Sequence, residues 1–392
     1  MDNNNMPPSE PPAPSAPPLL APPPLRPPPP LPRLTRKRNG WKIAALVLAL
    51  LLFVSLLTQL GSLAAWFLEA AGASSPAAGP RLEEVVVESN DSRHKIAIVP
   101  VEGVIWGASF DLGGHSMVRG VQDQLKAAAR DPRVKAVLLK INSPGGEVLA
   151  SDDINRAIAD FQKKTGKPVV AAMGSLAASG GYYVAASSRW IVANELTITG
   201  SIGVVMHGYN YRGLMNKIGL RPLVYKSGRF KDMLSGEKDL EQMTAEEKAD
   251  FEEEEKMVRG LIDQTFNRFK QVVEEGRRQA NQLNQNNKDT PGKSLSSTWV
   301  DYADGRVISG RQAFELGFVD EVGTWEAAVK RARQLAGITD ANLVTYQQMF
   351  DLFSLFSLFG KTDAARVKVD WGVELPRLEP GHLYFLSPTY LR

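Results

Sequence analysis

Cysteine is absent from this 392-residue chain. Its absence excludes structural disulfides, thiolate zinc sites and a cysteine nucleophile, and it suits an oxidising compartment, where stray thiols are a liability. Histidine is almost as scarce. His94, His115, His207 and His382 are the full set, so any mechanism that needs an imidazole must draw on these four. His94 opens the folded region, His115 sits in a Gly-Gly loop and His382 lies near the end; His207, after Val205 and Met206, is the best placed. A dominant charge is lacking too. Lys and Arg number 46 against 43 Asp and Glu, a net charge of +3, too small an excess to indicate nucleic acid as a partner. No internal repeat is visible.

Proline, by contrast, is concentrated. More than half of the 26 prolines precede Leu34. Such a segment cannot build helix or sheet ladders and reads as a solvated, partly polyproline tail, a linker rather than a ligand for a Pro-binding partner. The run from Ile43 to Leu60 is apolar except for Ser55, Thr58 and Gln59, and continued to Phe67 it has the length of a membrane-spanning helix. Trp41 and Trp66 stand at its ends, where interfacial aromatics belong. Arg33, Arg36, Lys37, Arg38 and Lys42 precede it, and no basic residue follows until Arg81. That asymmetry places the N-terminus in the cytoplasm and everything beyond Ala70 outside. A cleaved signal peptide is the competing reading, with Ala70 to Ala73 as its cleavage site, but the apolar run exceeds the usual signal core of about 7–15 residues, which favours a retained anchor.

After a small, Pro/Gly-bearing spacer from Gly72 to Pro80, the folded region is expected from about His94. Residues 95–101, 134–142 and 168–173 read as strands, and 117–130 and 152–164 as helices between them. Strands alternating with helices predict an α/β architecture with largely parallel pairing, because parallel strands need crossovers. A long polar helix is predicted from Thr244 to Gln279, with Val258, Ile262, Phe266, Phe269 and Val273 as its apolar stripe and Glu252 to Glu255 on a solvated face. Two shorter helices, 309–317 and 324–336, flank a strand-like 318–322. The Phe/Leu-rich stretch Met349 to Phe359 is expected to pack on the domain.

The chemistry-bearing stretch is Met173-Gly-Ser-Leu-Ala-Ala-Ser179-Gly180-Gly181-Tyr-Tyr183. A strand gives way to a helix through small residues, with Ser179 beside two glycines. A nucleophilic hydroxyl needs that exposure, room for an acyl group and nearby backbone N–H groups. Close helix–strand packing asks for the same small residues. The turn Asn142-Ser143-Pro144-Gly145-Gly146 also follows a strand, and the carboxyl ends of strands line the ligand crevice of a parallel sheet. Gly146 and Gly180 can then each offer an N–H to an oxyanion, although Pro-Gly equally makes a plain tight turn. A serine also needs a base, and lysine can replace histidine if burial keeps it neutral. Lys231, behind Phe230 and the aliphatic Leu223-Val224-Tyr225, and Lys226 are both candidates, and the residues themselves do not choose between them. Ser235-Gly-Glu-Lys238 has the Ser-x-x-Lys spacing of penicillin-binding enzymes, but the companion motifs are reversed in order or missing.

Taken in order, residues 141–146, the nucleophile segment 173–183, Leu196-Thr-Ile-Thr-Gly-Ser-Ile-Gly203, Lys226-Ser-Gly-Arg-Phe-Lys-Asp232 and 305–320 resemble the signal peptide peptidase A family of serine peptidases, short single-copy form. The resemblance runs from about His94 to Ala336. It implies a Clp-protease/crotonase-like α/β fold, here behind one N-terminal transmembrane helix. It implies Ser179 as nucleophile, Lys231 as general base, Ser201 as the hydroxyl that orients the lysine, Gly146 and Gly180 as oxyanion donors, and neither cofactor nor metal. It implies peptide substrates such as signal peptide remnants, no nucleic acid, and a homo-oligomeric ring in which a neighbour supplies the lysine. The expected organisation is a Pro-rich cytoplasmic tail (1–40), an anchor (41–67), a linker (68–93), a peptidase domain (94–337) and a C-terminal extension (338–392), with the catalytic domain periplasmic or extracytoplasmic. Two other readings keep parts of this pattern: a crotonase-like fold without peptidase activity, and a membrane scaffold.

Overall fold

The computed structural model describes residues 40–70, 82–107, 116–285, 291–348 and 383–386. The Pro-rich tail, His115, the Met349 to Phe359 stretch and His382 lie outside them. The chain divides into two compact units at Ala77/Ala78.

The first unit holds one helix, α1, Gly40–Ala70. Its 31 residues reach about 46 Å at 1.5 Å per residue. Leu46 through Leu57 expose their apolar side chains on every side of the helix. Among the described residues no helix is long and apolar enough to cross a membrane.

The second unit runs β1 Leu82–Glu88, β2 Lys95–Glu102, α2 Met117–Arg130, β3 Val134–Ser143, β4 Gly145–Glu147, α3 Val148–Thr165, β5 Val169–Ala178, α4 Gly180–Ala185, β6 Trp190–Ala193, β7 Ile198–Gly200 and β8 Val205–Met206. It continues with α5 Arg212–Lys217, α6 Ala245–Gln285, β9 Val307–Ser309, α7 Gly310–Glu315, β10 Glu321–Val322, α8 Trp325–Leu335, β11 Asn342–Gln348 and β12 Leu383–Leu386. The main sheet has the order β1-β11-β2-β3-β5-β6-β10, and β7 continues beside the end of β5 and pairs with β9. The β11-β2-β3-β5-β6-β10 pairings are all parallel. The sheet is therefore the parallel α/β sheet expected from the alternating pattern. Its near-continuous apolar strands follow from both faces being covered. Ala97, Val99, Val137 and Leu139 face α2 and α3, which contribute Val121, Leu125, Ile154 and Ile158. The alternating set Ile96, Ile98, Ala136 and Leu138 faces α8 through Ala328, Val329 and Ala332.

Local signals fix the ends of the helices. The Ser116 hydroxyl accepts the Arg119 N–H at 3.2 Å and caps α2. Gly166, at φ 69°, closes α3 in the left-handed conformation that glycine adopts without steric cost. Ser309 and Gln312 form a reciprocal capping box on α7. Three details differ from the sequence reading. β5 runs on to Ala178, because its last residues pair with β7 rather than β6. The unit gains β1 ahead of His94, and β11 from the region beyond Ile338, because each is the other's antiparallel partner. On α6, Glu254 is buried against Lys238 instead of solvated, while Phe269 and Val273 of the stripe are in the core.

One ion pair ties α6 to the sheet. Arg277 and Asp320 contact each other with both side chains fully buried. Arg277 Nη1 also donates to the Ser188 carbonyl at 3.0 Å, and Asp320 accepts the Ile191 N–H at 2.8 Å and the Lys293 N–H at 3.2 Å. Removing one partner leaves an uncompensated buried charge, so Arg277→Ala is expected to lower unfolding free energy by roughly 3–5 kcal/mol in urea titrations. An unchanged midpoint and slope would show that the pair carries no net weight.

Candidate active site

Ser179 lies at the junction between β5 and α4, with φ 55° and ψ −118°. A non-glycine residue at positive φ is strained, and surrounding structure must over-determine it. Here the constraints are visible. The Ser179 N–H donates to the Gly200 carbonyl at 2.8 Å, the Thr199 hydroxyl donates to the Ala177 carbonyl at 2.7 Å, and the Tyr183 N–H donates to the Ser179 carbonyl at 2.8 Å. The Ser179 hydroxyl is buried and has no hydrogen-bond partner.

The turn after β3 packs onto this junction backbone to backbone. A Cβ on Gly180 would lie 3.0 Å from Gly145 Cα, 3.1 Å from the Gly146 nitrogen and 2.7 Å from the Ser151 hydroxyl. A Cβ on Gly181 would meet the Ser143 carbonyl at 2.8 Å. Glycines are therefore required on both sides of the contact, and the contact brings Gly146 and Gly180, the two expected oxyanion donors, next to each other. The turn is pinned from outside: the Ile105 N–H donates to the Gly145 carbonyl at 2.9 Å, the Glu147 N–H donates to the Ile105 carbonyl at 2.8 Å, and the Ser143 hydroxyl accepts the Gly145 N–H at 3.1 Å. Ser201, also buried and at positive φ, follows Gly200 directly, and its N–H donates to the Arg306 carbonyl at 2.7 Å. Ser179, Ser201, Gly146 and Gly180 thus share one locality.

Lys231 does not join them within one chain. It is exposed in the turn 229–234, and it is not a partner of the Ser179 hydroxyl. The rival Lys226 is committed elsewhere. It donates to both carboxylate oxygens of Asp232, at 2.9 and 3.0 Å, and to the Arg229 carbonyl. Lys238 is likewise held, by Glu254, which leaves the Ser235-x-x-Lys238 pattern without a free amine. Of the histidines, His207 follows β8, and its Nε2 is buried without a partner.

Tyr183 of the nucleophile segment and Phe269 of the apolar stripe come together behind the junction, a meeting the sequence reading did not foresee. Tyr183, one helical turn after Ser179, sits with its ring centroid 4.9 Å from Phe269 of α6. Its hydroxyl donates to Asp152 at 2.5 Å, and Arg268 and Arg156 flank that carboxylate. Burial, reinforced by the bond to Asp152, pushes the Tyr183 phenol well above its usual range, so it remains a neutral donor. The i+4 spacing from Ser179 to Tyr183 was the available signal; the stripe marked Phe269 as core without naming its partner, and Asp152 had no signal, because only the fold brings them there.

A strained, enclosed serine beside closely packed glycine turns at the carboxyl ends of parallel strands is the arrangement of the serine-hydrolase class. Residues 161–339 match peptidase family S49. A protein named as a signal peptide peptidase SppA of Enterococcus faecium is 36% identical over 273 residues, covering 68% of this chain and 71% of the relative. A protein of Synechocystis named as a protease is 35% identical, covering 63% of this chain and 76% of that one. Protease 4 of Haemophilus influenzae is 35% identical over 246 residues, but this chain spans only 35% of its length. The chain belongs to peptidase family S49, the serine peptidases similar to signal peptide peptidase A.

The glycine packing makes a sharp prediction. A Cβ on Gly146 would lie 2.1 Å from the Ile105 carbonyl oxygen and 2.6 Å from its nitrogen, so Gly146→Ala must displace the turn. Peptide hydrolysis is expected to fall by about 10²–10³-fold, the usual cost of a misplaced oxyanion donor. Activity within twofold of wild type would remove this turn from the site.

Proposed function

We propose that this protein is a membrane-anchored Ser–Lys endopeptidase of extracytoplasmic location that cleaves hydrophobic peptides, such as released signal peptide remnants. The observation that carries the reading is Ser179 itself, held at positive φ beside Gly146 and Gly180 with its hydroxyl uncommitted. Ser179 attacks the scissile carbonyl, and its proton passes to the neutral amine of Lys231. The Gly146 and Gly180 N–H groups receive the oxyanion, and Lys231 returns the proton to the leaving amine. Water then hydrolyses the acyl-enzyme with the same lysine as base. Ser201, one residue beyond the Gly200 carbonyl that holds Ser179, orients the amine. The scaffold would be of the Clp-protease/crotonase type.

The lysine comes from a neighbouring copy in a homo-oligomeric ring. What supports this is the arm that bears it. Lys231 is exposed and makes no ion pair among the described residues, whereas Lys226 and Lys238 beside it are paired. The same arm exposes Tyr209, Leu214, Ile218, Leu223 at 81% and Tyr225 at 92%, an apolar patch of the kind that marks protein contacts. The anchor is α1. Its support is its length, its apolar side chains exposed on all sides and the basic residues before it. A location at the outer membrane face would bring the site to substrates that partition into the bilayer.

Active-site labelling with a fluorophosphonate, run beside peptide hydrolysis, tests the dyad. Ser179→Ala is expected to lose both signals, and Lys231→Ala to lose about 10²–10⁴-fold in hydrolysis. If Ser179→Ala cleaves like wild type, the nucleophile is another residue. Co-assembling the two inactive variants tests the shared site. Random mixing in a closed ring pairs an intact serine with an intact neighbouring lysine at about one quarter of sites, so activity should return to that extent. No recovery from mixed, properly assembled rings would place both residues on one chain.

A further inference from the structure

We propose that Lys226, Lys238 and Glu254 are positioning residues for Lys231: they fasten the arm that bears it to α6, and they occupy Asp232, the carboxylate next to it in the chain. The inference deepens the Ser–Lys reading above and rests on it.

The arm, residues 207–240, has almost no apolar core of its own. Between Gly203 and Glu253, Met215 alone is buried. Hydrophobic burial therefore cannot set its shape, and polar contacts must place Lys231. Part of the work is done by the backbone. The Lys231 N–H donates to the Gly228 carbonyl and the Met233 N–H to the Phe230 carbonyl, both at 3.1 Å. The returning chain lies against residues 209–211: a Cβ on Gly236 would meet the Tyr209 carbonyl oxygen at 2.1 Å, and the Asn210 side chain donates to the Lys238 carbonyl at 2.9 Å.

Ion pairs join this turn to the helix. Lys226 donates to both carboxylate oxygens of Asp232, at 2.9 and 3.0 Å. Lys238 lies 3.8 Å from one of them and also pairs with Glu254 of α6. Arg229 donates to Asp250 at 2.6 Å and lies 3.1 Å from Glu253, on the same stretch of α6. Charges alternate from Lys226 through Asp232 and Lys238 to Glu254, and Lys231 projects from the middle of the series without joining it.

Glu254 is only 4% exposed and is the first buried residue along α6. Exposed ion pairs contribute little, and a carboxylate taken out of water costs more than an apolar side chain in its place. A buried charge at this point therefore specifies one seating of the arm better than it stabilises the fold. Asp232, left free, would favour the charged form of an adjacent lysine; held by Lys226 and Lys238, it is spoken for. The seating is then carried inward by α6. Glu254 and Phe269 stand about four turns apart on this one helix, and Phe269 touches Tyr183 on the helix of the nucleophile. The lysine of each chain is thus referenced to the core that holds its own Ser179, although in a ring the two serve different sites.

The test uses the full chain. Lys238→Met is expected to lower kcat for a reporter peptide at least tenfold with KM within twofold, since a misplaced base affects chemistry rather than binding. The charge-conserving Lys238→Arg should recover at least half of the loss on a logarithmic scale. A kcat within twofold of wild type, a loss carried by KM alone, or equal losses in the two variants would overturn the proposal. Should Lys238→Met fail to assemble, Lys226→Met carries the same expectation. Placement in mixed rings separates positioning from general scaffolding. Added to the Ser179→Ala chain, which donates the lysine, Lys238→Met should cut the activity recovered with Lys231→Ala at least fivefold more than when added to the Lys231→Ala chain. Equal cuts would refute the positioning role. If the parent mixture recovers nothing, the shared site fails instead, and the kcat of Lys238→Met in the unmixed protein decides. Hydrolysis that survives Lys231→Ala would sink the dyad and this inference together.

Discussion

The site depends on one contact, in which two stretches of backbone pack with no side chain between them. The turn after β3 and the start of α4 approach until Gly180 lies against Gly145 and Gly146, and Gly181 against the Ser143 carbonyl. Each partner is fixed by its own strand of the same parallel sheet. The β3–β5 pairing reaches Ser143 opposite Ala177, so the sheet itself brings the two turns together. The strain at Ser179 is a by-product of that closeness: the chain must leave β5 and enter α4 within one residue, and the β5–β7 ladder and the first turn of α4 hold it there. A preorganised site of this kind does not rely on loops finding their position.

The remainder of the molecule supports this contact at graded distances. Ile105 clamps the outside of the glycine turn through two backbone bonds, and Asn155 of α3 donates to the Tyr183 carbonyl at 2.8 Å, tying α3 to the helix of the nucleophile. Farther out, the buried Arg277–Asp320 pair joins α6 to β6 and the segment before β10. α6 thereby presents Phe269 to the Tyr183 ring at its anchored end, while most of its first half stands in solvent.

How legible this was in the sequence depended on the range of each signal. The strands and helices from 95 to 173 were legible because both faces of the sheet are covered, and the residues therefore run apolar in short, punctuated blocks. Ser179, Gly146 and Gly180 were legible as a pattern, since small residues at two strand ends are a local signature. The pairing of β1 with β11 was not, because the Asn90 N–H meets the Asn342 side chain across 252 positions at 2.7 Å, and nothing in either segment names the other. Glu254 misled for a related reason. An acidic run on a helix normally faces water, and only the arrival of Lys238 from the arm makes burial acceptable. Asp152 carries no local mark of its bond to the Tyr183 hydroxyl; it is an ordinary residue of its own helix.

The Asn342 clamp has a consequence for how the chain acquires its structure. Asn342 accepts from the Asn90 N–H and donates to the Ser92 carbonyl at 3.0 Å, and Asn90 in turn donates to the Ala341 carbonyl at 3.1 Å. β11 is inserted between β1 and β2 by these bonds, so a strand made late separates two that were made early. Closing a loop of that length is slow, because its entropy must be spent before any contact rewards it. During synthesis β2 therefore emerges with one edge unpaired and keeps it until some 250 further residues have followed. An open edge is a template for pairing with the wrong chain. Lys95, at the start of β2 opposite Asn342, sets a charged residue beside that edge, and in the finished sheet Glu84 and Asp131 pair with it.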